Sequence, residues 1–152
     1  MNLDDTDKEI LRLLQQDAKM TIKELSSQLS LSATPIYERI KKMEQAGIIK
    51  AYVALIDADK VGKKLNAFAN ISIKDHSKSA VTTFVQAIEA FPEVMECHYV
   101  SGNYDFLIKV LVEDMENYNH FIMEKLSAVS NIGKVETLFS LSTSKRTSAI
   151  PM

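Results

Sequence analysis

The chain has 152 residues, enough for one domain of average size or two small ones. A composition of 46% hydrophobic and 25% charged residues, with four glycines and three prolines, excludes disordered and collagen-like classes. Its net charge of −2 argues mildly against a nucleic-acid partner until that total is divided along the chain. No apolar run approaches the roughly 18 residues a membrane span needs, and Met1–Asp5 is acidic where a signal peptide would be basic and then apolar, so the expectation is a cytoplasmic protein with no membrane partner. Cys97, the single cysteine, cannot close an internal disulfide, which agrees with a reducing compartment.

Taken in chain order, the first element is a helix with Asp4 or Asp5 as its N-cap, acids in its first turn and Ile10, Leu13 and Leu14 at helical spacing, ending near Gln16 or Asp17. Thr21 followed three residues later by Glu24 is a capping box, and it announces a second helix of about two turns carrying Ile22, Leu25 and Leu29. A third follows Leu31–Ser32, with Ile36, Ile40 and Met43 as an apolar stripe and Gly47 as its stop. Pro35 is tolerated there at N1 if Thr34 caps, or within the first turn if Ser32 does. Only a few residues join helices two and three, so the pair must cross steeply, the geometry of a helix-turn-helix.

Residues 48–56 suit an extended wing ribbon, and 57–64 a polar linker containing Gly62. Beyond it, strand and helix signals alternate: strands at 65–73, 94–100, 104–112 and 135–141, and helices at 79–90 and 115–126. Gly102-Asn103 between two strands is a hairpin signal, and Pro92 and Gly133 mark helix-to-strand turns. The expected fold class is therefore α+β: an N-terminal winged helix-turn-helix over residues 1–52, a strand and linker over 53–64, and a C-terminal ferredoxin-like βαββαβ domain over 65–152.

Chemistry concentrates on the third helix. Positive charge is localised there: Ser32–Lys50 holds Arg39, Lys41, Lys42 and Lys50 against Glu38 and Glu44, while Asp4, Asp5, Asp7 and Glu9 crowd the first helix. Such a patch serves phosphate contact, because each neutralised phosphate releases counterions and distant acids are screened beyond about 8–10 Å. With the apolar stripe inward, Thr34, Tyr37, Glu38, Lys41 and Lys42 face out and Arg39 lies at the flank; Ser32 and Pro35 stand at the helix start. Cations for phosphates beside hydroxyl, ring and carboxylate groups for base edges are what a recognition helix carries. Arg39 and Lys42 are the expected phosphate contacts. A solvated helix with ordinary charges would be preferred for this segment alone, but the neighbouring helices favour DNA.

The pattern Leu-Ser-x-Thr-Pro-x-x-Glu-Arg-x-x-x-x-Glu-x-x-Gly-x-Ile from Leu31 to Ile49 resembles the recognition segment of the Lrp/AsnC family of leucine-responsive regulatory proteins. Far along the chain, Glu96-Cys97-His98-Tyr99-Val100-Ser101-Gly102-Asn103-Tyr104-Asp105-Phe106-Leu107 is similar to that family's Glu-Cys-His-x-Val-Ser-Gly-x-x-Asp-Tyr-Leu stretch. Met43 departs from the usual leucine, and the tail after Leu141 is short and weakly charged. The resemblance implies a transcription regulator bound to double-stranded DNA, its second domain dimerising sheet to sheet and its dimers joining into rings, commonly an octamer of four dimers. It also implies an amino-acid effector, leucine- or methionine-like, at the junction between dimers. The residues nominated for it are Ser101, Gly102, Asn103, Tyr104 and Asp105, with Thr137 contributed by a neighbouring chain. Chemically, the ligand's ammonium wants a carboxylate such as Asp105 and its carboxylate wants backbone N–H groups freed by a glycine turn. On the residues alone, Gly102-Asn103 simply makes a tight hairpin and Asp105 accepts turn hydrogen bonds.

Enzyme readings fail on the same sequence. Cys97 and His98 are strand neighbours pointing to opposite faces, so they cannot form a thiolate-imidazole pair, and Cys97 reads as a buried small hydrophobe. His76, His98 and His120 fall on a loop, a strand and a helix without the short spacings of zinc motifs. Phosphate-binding glycine loops, nucleophile elbows and helical His-Glu-x-x-His are missing, so neither catalytic residues nor a metal or other cofactor is expected. The rival reading, a metabolic protein whose ferredoxin-like half binds a small molecule and whose N-terminal helices serve assembly, gives way to DNA binding on the third-helix pattern and its basic patch.

Overall fold

The computed structural model describes residues 2–152, which divide into two compact units: residues 2–55 together with 145–152, and residues 56–144.

The first unit is a three-helix bundle of α1 (Asp5–Gln16), α2 (Ile22–Leu29) and α3 (Ala33–Gln45). Local chemistry sets each boundary. Asp4 caps α1 by accepting the Asp7 N–H at 2.8 Å, while the Asp7 carboxylate accepts the Asp4 N–H. Thr21 and Glu24 close the same reciprocal box at α2. Ser32 is the N-cap of α3, which places Pro35 inside the first turn, where its missing N–H costs no helical bond. Gly47 ends α3 at φ +69°, a left-handed conformation that glycine adopts without a Cβ clash, and the Gly47 and Ile48 N–H groups donate to the carbonyls of Glu44 and Met43. Ile10, Leu11, Leu13, Leu25, Ile36, Ile40 and Met43 are buried together as the core, with Ile22, Leu29 and Ile49 packed at its edge. At the end of the chain, Ile150 exchanges both backbone hydrogen bonds with the Gln15 side chain, at 2.6 and 3.1 Å.

The expected wing does not form a strand within the chain. Residues 50–56 run without regular structure, and Tyr52, Val53, Leu55 and Ile56 are exposed. Extended backbone becomes a strand only when a neighbour takes its N–H and C=O groups, and no such neighbour faces this ribbon among the described residues.

The second unit opens with a 3-10 turn at Asp59–Val61 and continues as β1 (Leu65–Ile73), α4 (Lys78–Glu89), β2 (Val94–Tyr99), β3 (Phe106–Val112), α5 (Met115–His120) and β4 (Ile132–Phe139). The βαββαβ order is as read from the sequence. Its sheet is antiparallel with strand order β2-β3-β1-β4, and β1 aligns Ala69 with both Ile108 and Thr137. Beyond His120 the last helix widens into a π-type turn at Phe121–Lys125 and tightens to a 3-10 turn at Leu126–Ala128, so the single helix expected over 115–126 is broken. Ala67, Ala69, Ile71 and Ile73 alternate with half-buried residues along β1, as do Phe106, Ile108, Val110 and Val112 along β3. They form one core with Phe84 and Ile88 of α4 and Tyr118, Phe121 and Leu126 from α5 onward, so both helices cover one face. The other face bears Phe68, Asn70, Leu107, Lys109, Leu111, Glu136 and Leu138, and no element of this unit covers it among the described residues.

Candidate functional site

The outer face of α3 is built as its periodicity requires. Burying Ile36, Ile40 and Met43 leaves Ser32, Thr34, Tyr37, Glu38, Lys41 and Lys42 exposed and Pro35 half-buried. The Ser32 side chain makes no capping hydrogen bond, unlike Asp4 and Thr21 on α1 and α2. The first N–H groups of α3 therefore have no side-chain cap from Ser32, and an anion placed there would meet the positive end of the helix dipole. Lys41 is partly committed: its Nζ lies 2.8 Å from Glu44 Oε2 and 5.8 Å from the centre of the Tyr37 ring. Tyr52 donates to the other Glu44 oxygen at 3.0 Å, and burial together with that carboxylate pushes its hydroxyl up to about 12, so it stays a donor. Lys42 and Lys50 have no ion-pair partner among the described residues and keep their charge for an external anion.

Arg39 is placed differently from the expectation that it holds phosphate. Its Nη1 donates to Asp4 Oδ2 at 2.7 Å and to Asp7 Oδ1 at 2.6 Å. Asp7 is 3% exposed, the one buried charged residue among those described. Arg39 thus faces α1, while Glu38, Lys41 and Lys42 on α3 face solvent.

A second site gathers at one end of the sheet. Residues 100–105 form a six-residue loop rather than a two-residue hairpin, because the chain turns back later than the glycine signal suggests. Val100 N–H donates to the Asp105 carbonyl, and Asp105 N–H to the carbonyl of Ile71. Gly102, at φ +135°, supplies a conformation other residues rarely adopt. The Asp105 side chain is fixed: Oδ2 accepts the Ile73 N–H at 2.8 Å and Oδ1 meets His76 Nε2 at 2.9 Å. Those bonds hold its carboxyl below the usual range, the backbone N–H contributing most. Tyr104 donates to Glu136 Oε2 at 2.5 Å, with Lys134 Nζ 3.3 Å from the same hydroxyl. Asn131 supports the neighbouring loop; its Oδ1 accepts from the N–H groups of Lys74 and Asp75.

Of the nominated residues, Ser101, Gly102 and Asn103 are exposed on this loop, and Tyr104 and Asp105 are half-buried at its end. Thr137 stands apart. It pairs with Ala69 on the helix-covered face, its hydroxyl 2.7 Å from that of Tyr118, whereas adjacent Glu136 lies on the uncovered face. Sequence reasoning missed His76, Lys134 and Glu136, whose relevance arises only when three separate loops and strand ends meet. His98 approaches Glu96 at 3.2 Å, and Cys97, opposite Ile108, packs on the core with its thiol pushed up by burial. Among the described residues no three His, Cys, Asp or Glu side chains cluster to hold a metal, and no helix is long and apolar enough to cross a membrane.

Comparison with known proteins gives these two sites their setting. Residues 3–50 match the model of a winged helix-turn-helix DNA-binding domain, and residues 66–150 that of the Lrp/AsnC ligand-binding domain. The chain is 37% identical over 150 residues to the transcriptional regulator AzlB of Bacillus subtilis, covering 99% of this chain and 96% of that one. It is 35% identical to the leucine-responsive regulatory protein of Rhizobium meliloti, with 93% and 90% covered. Its structure is similar to a transcriptional regulator from Neisseria meningitidis solved in complex with L-methionine, at 33% identity and a TM-score of 0.93 over 99% and 97% of the two chains. An AsnC-family regulator from Agrobacterium tumefaciens gives 35% identity and a TM-score of 0.94 over 98% and 97%. With a DNA-binding helix-turn-helix, a ligand-binding domain and relatives that are regulators rather than enzymes, the chain belongs to the Lrp/AsnC family of DNA-binding transcriptional regulators.

Proposed function

We propose that this regulator reads duplex DNA with the outer face of α3 and answers to a small amino acid, leucine- or methionine-like, held at subunit junctions beside the 100–105 loop. Reading falls to Ser32, Thr34, Pro35, Tyr37, Glu38, Lys41 and Lys42: Lys42 and the N-terminal amides of α3 hold phosphates, while Thr34 and Tyr37 reach base edges. The observation that carries this reading is the exposed α3 face, with Lys42 free of ion pairs among the described residues and first-turn amides that Ser32 leaves uncapped.

On the second unit, Asp105 is the group for the effector's ammonium, with Ser101, Gly102, Asn103 and Tyr104 around it and Thr137 from a neighbouring chain. The L-methionine complex of the Neisseria regulator supports an amino acid as the ligand class. A junction between subunits fits because the loop is open to solvent, and a free amino acid binds well only where both its charges are met once water is excluded. Sheet-to-sheet dimerisation is supported by the uncovered sheet face with Phe68, Leu107, Leu111 and Leu138; four such dimers closing a ring is the further assembly the family resemblance implies. Binding of genomic fragments by the full chain, with and without a panel of amino acids, tests the reading. Selective fragment capture that shifts with an apolar amino acid is expected; sequence-independent binding indifferent to all of them would overturn it.

A further inference from the structure

Arg39 carries a charge that the DNA-reading face does not have at its disposal. A buried carboxylate is costly unless paired, and Asp7, 3% exposed, finds its cation in Arg39 Nη1 at 2.6 Å. The same nitrogen holds Asp4 at 2.7 Å, so one donor group ties the middle of α3 to both acids of the α1 capping box. Drawing Arg39 out to a phosphate would strand the Asp7 carboxylate in the bundle. The triad also sums to one negative charge, which by itself repels a phosphate backbone. Meanwhile Arg39 neighbours Ile40 on α3, whose stripe of Ile36, Ile40 and Met43 permits some sliding against the core, because apolar packing is not directional. Two short charge-assisted bonds fix what apolar packing leaves free.

We infer that Arg39 is a positioning residue: clamped by Asp4 and Asp7 to the start of α1, it sets the orientation in which α3 presents its reading face, and it does not contact DNA phosphates. This rests on α3 being the reading face.

The test compares full-length variants, each shown folded by circular dichroism at the assay temperature, on two duplexes in a salt series. One duplex is selected from a random pool by the wild-type protein, and the other is a scramble of it. Arg39→Ala is expected to lose about tenfold on the selected duplex and little on the scramble, with its salt slope unchanged; a lost phosphate contact would flatten that slope by about 0.9. Asp7→Asn supplies the sign test. Removing an acid near DNA should tighten binding to both duplexes if charge alone matters, whereas loss of the clamp weakens the selected duplex about as much as Arg39→Ala does. Since Nη1 alone makes both contacts, the ammonium of Arg39→Lys should restore most of the affinity, which a role confined to packing bulk would not require. Should Asp7→Asn fail to fold, Asp4→Asn, half exposed on the same nitrogen, asks the same question of sign. Flattening of the Arg39→Ala slope by about 0.9, or tighter binding by Asp7→Asn, overturns the inference while Lys42→Ala still reports α3 at the DNA. Wild-type binding by both Arg39→Ala and Lys42→Ala overturns it together with the reading of α3.

Discussion

Replacing Asp105 separates two tasks that fall on one carboxylate. Its oxygens accept from Ile73 N–H at 2.8 Å and meet His76 Nε2 at 2.9 Å, and each keeps capacity for a further donor such as a ligand ammonium. Asp105→Asn preserves an oxygen for the Ile73 N–H and removes the charge, while Asp105→Ala removes both. A hydrogen bond to a charged group contributes roughly 1.5–3 kcal/mol; with the side chain 23% exposed the low end applies, about 1.5 kcal/mol. At about 4–8 °C per kcal/mol for a domain of this size, Asp105→Ala should melt roughly 6–12 °C below wild type and Asp105→Asn within about 3 °C of it. For the ligand, truncating one partner of a desolvated charge pair costs about 2–5 kcal/mol, and partial exposure again selects about 2, roughly thirtyfold in Kd. Both variants should show that loss when titrated with L-leucine and L-methionine by calorimetry, alongside thermal melts. Wild-type affinity in a stable Asp105→Asn protein would refute the reasoning, leaving the carboxylate as a loop support alone.

Assembly through the second unit predicts that a chain lacking residues 1–60 remains oligomeric by light scattering; a monomeric fragment would place the assembly surface elsewhere. Acid stability follows from carboxylates that accept backbone N–H groups. Asp4, Asp75, Asp105 and Asp114 are held below the ordinary range chiefly by backbone N–H donors. Their folded values lie under their unfolded ones, so their contribution is fully present above about pH 4 and is lost as pH falls through the lower folded values. Circular dichroism from pH 6 to 2 should stay level until below about pH 4; a loss beginning near pH 6 would point to histidine instead.

Much of the architecture was legible because it is local. The Thr21–Glu24 box, the stripe of Ile36, Ile40 and Met43, the stop at Gly47 and the βαββαβ order are set by neighbours a few residues apart, and the fold reproduces them. What was not legible depends on distant partners. The ion pairs of Arg39 with Asp4 and Asp7 join residues more than thirty positions apart. Residues 48–56 have the composition of a strand, but no strand pairs with them among the described residues. The Gly102-Asn103 signal misjudged the loop because the Asp105 N–H is taken by Ile71, a strand away, rather than by a tight turn. His76 and Glu136 carry no motif; only the sheet end gathers them around Asp105 and Tyr104.

The most direct test of the account is equilibrium binding of the full chain to the duplex it selects, measured against salt for wild type, Lys42→Ala and Tyr37→Ala. Lys42→Ala, at a residue exposed and without an ion-pair partner among the described residues, should lose affinity at every sequence and flatten the slope by about 0.9, as one lost phosphate contact does. Tyr37→Ala should keep the wild-type slope while changing which sequences are preferred. Wild-type slope, affinity and preference in both folded variants would contradict the claim that the outer face of α3 reads DNA.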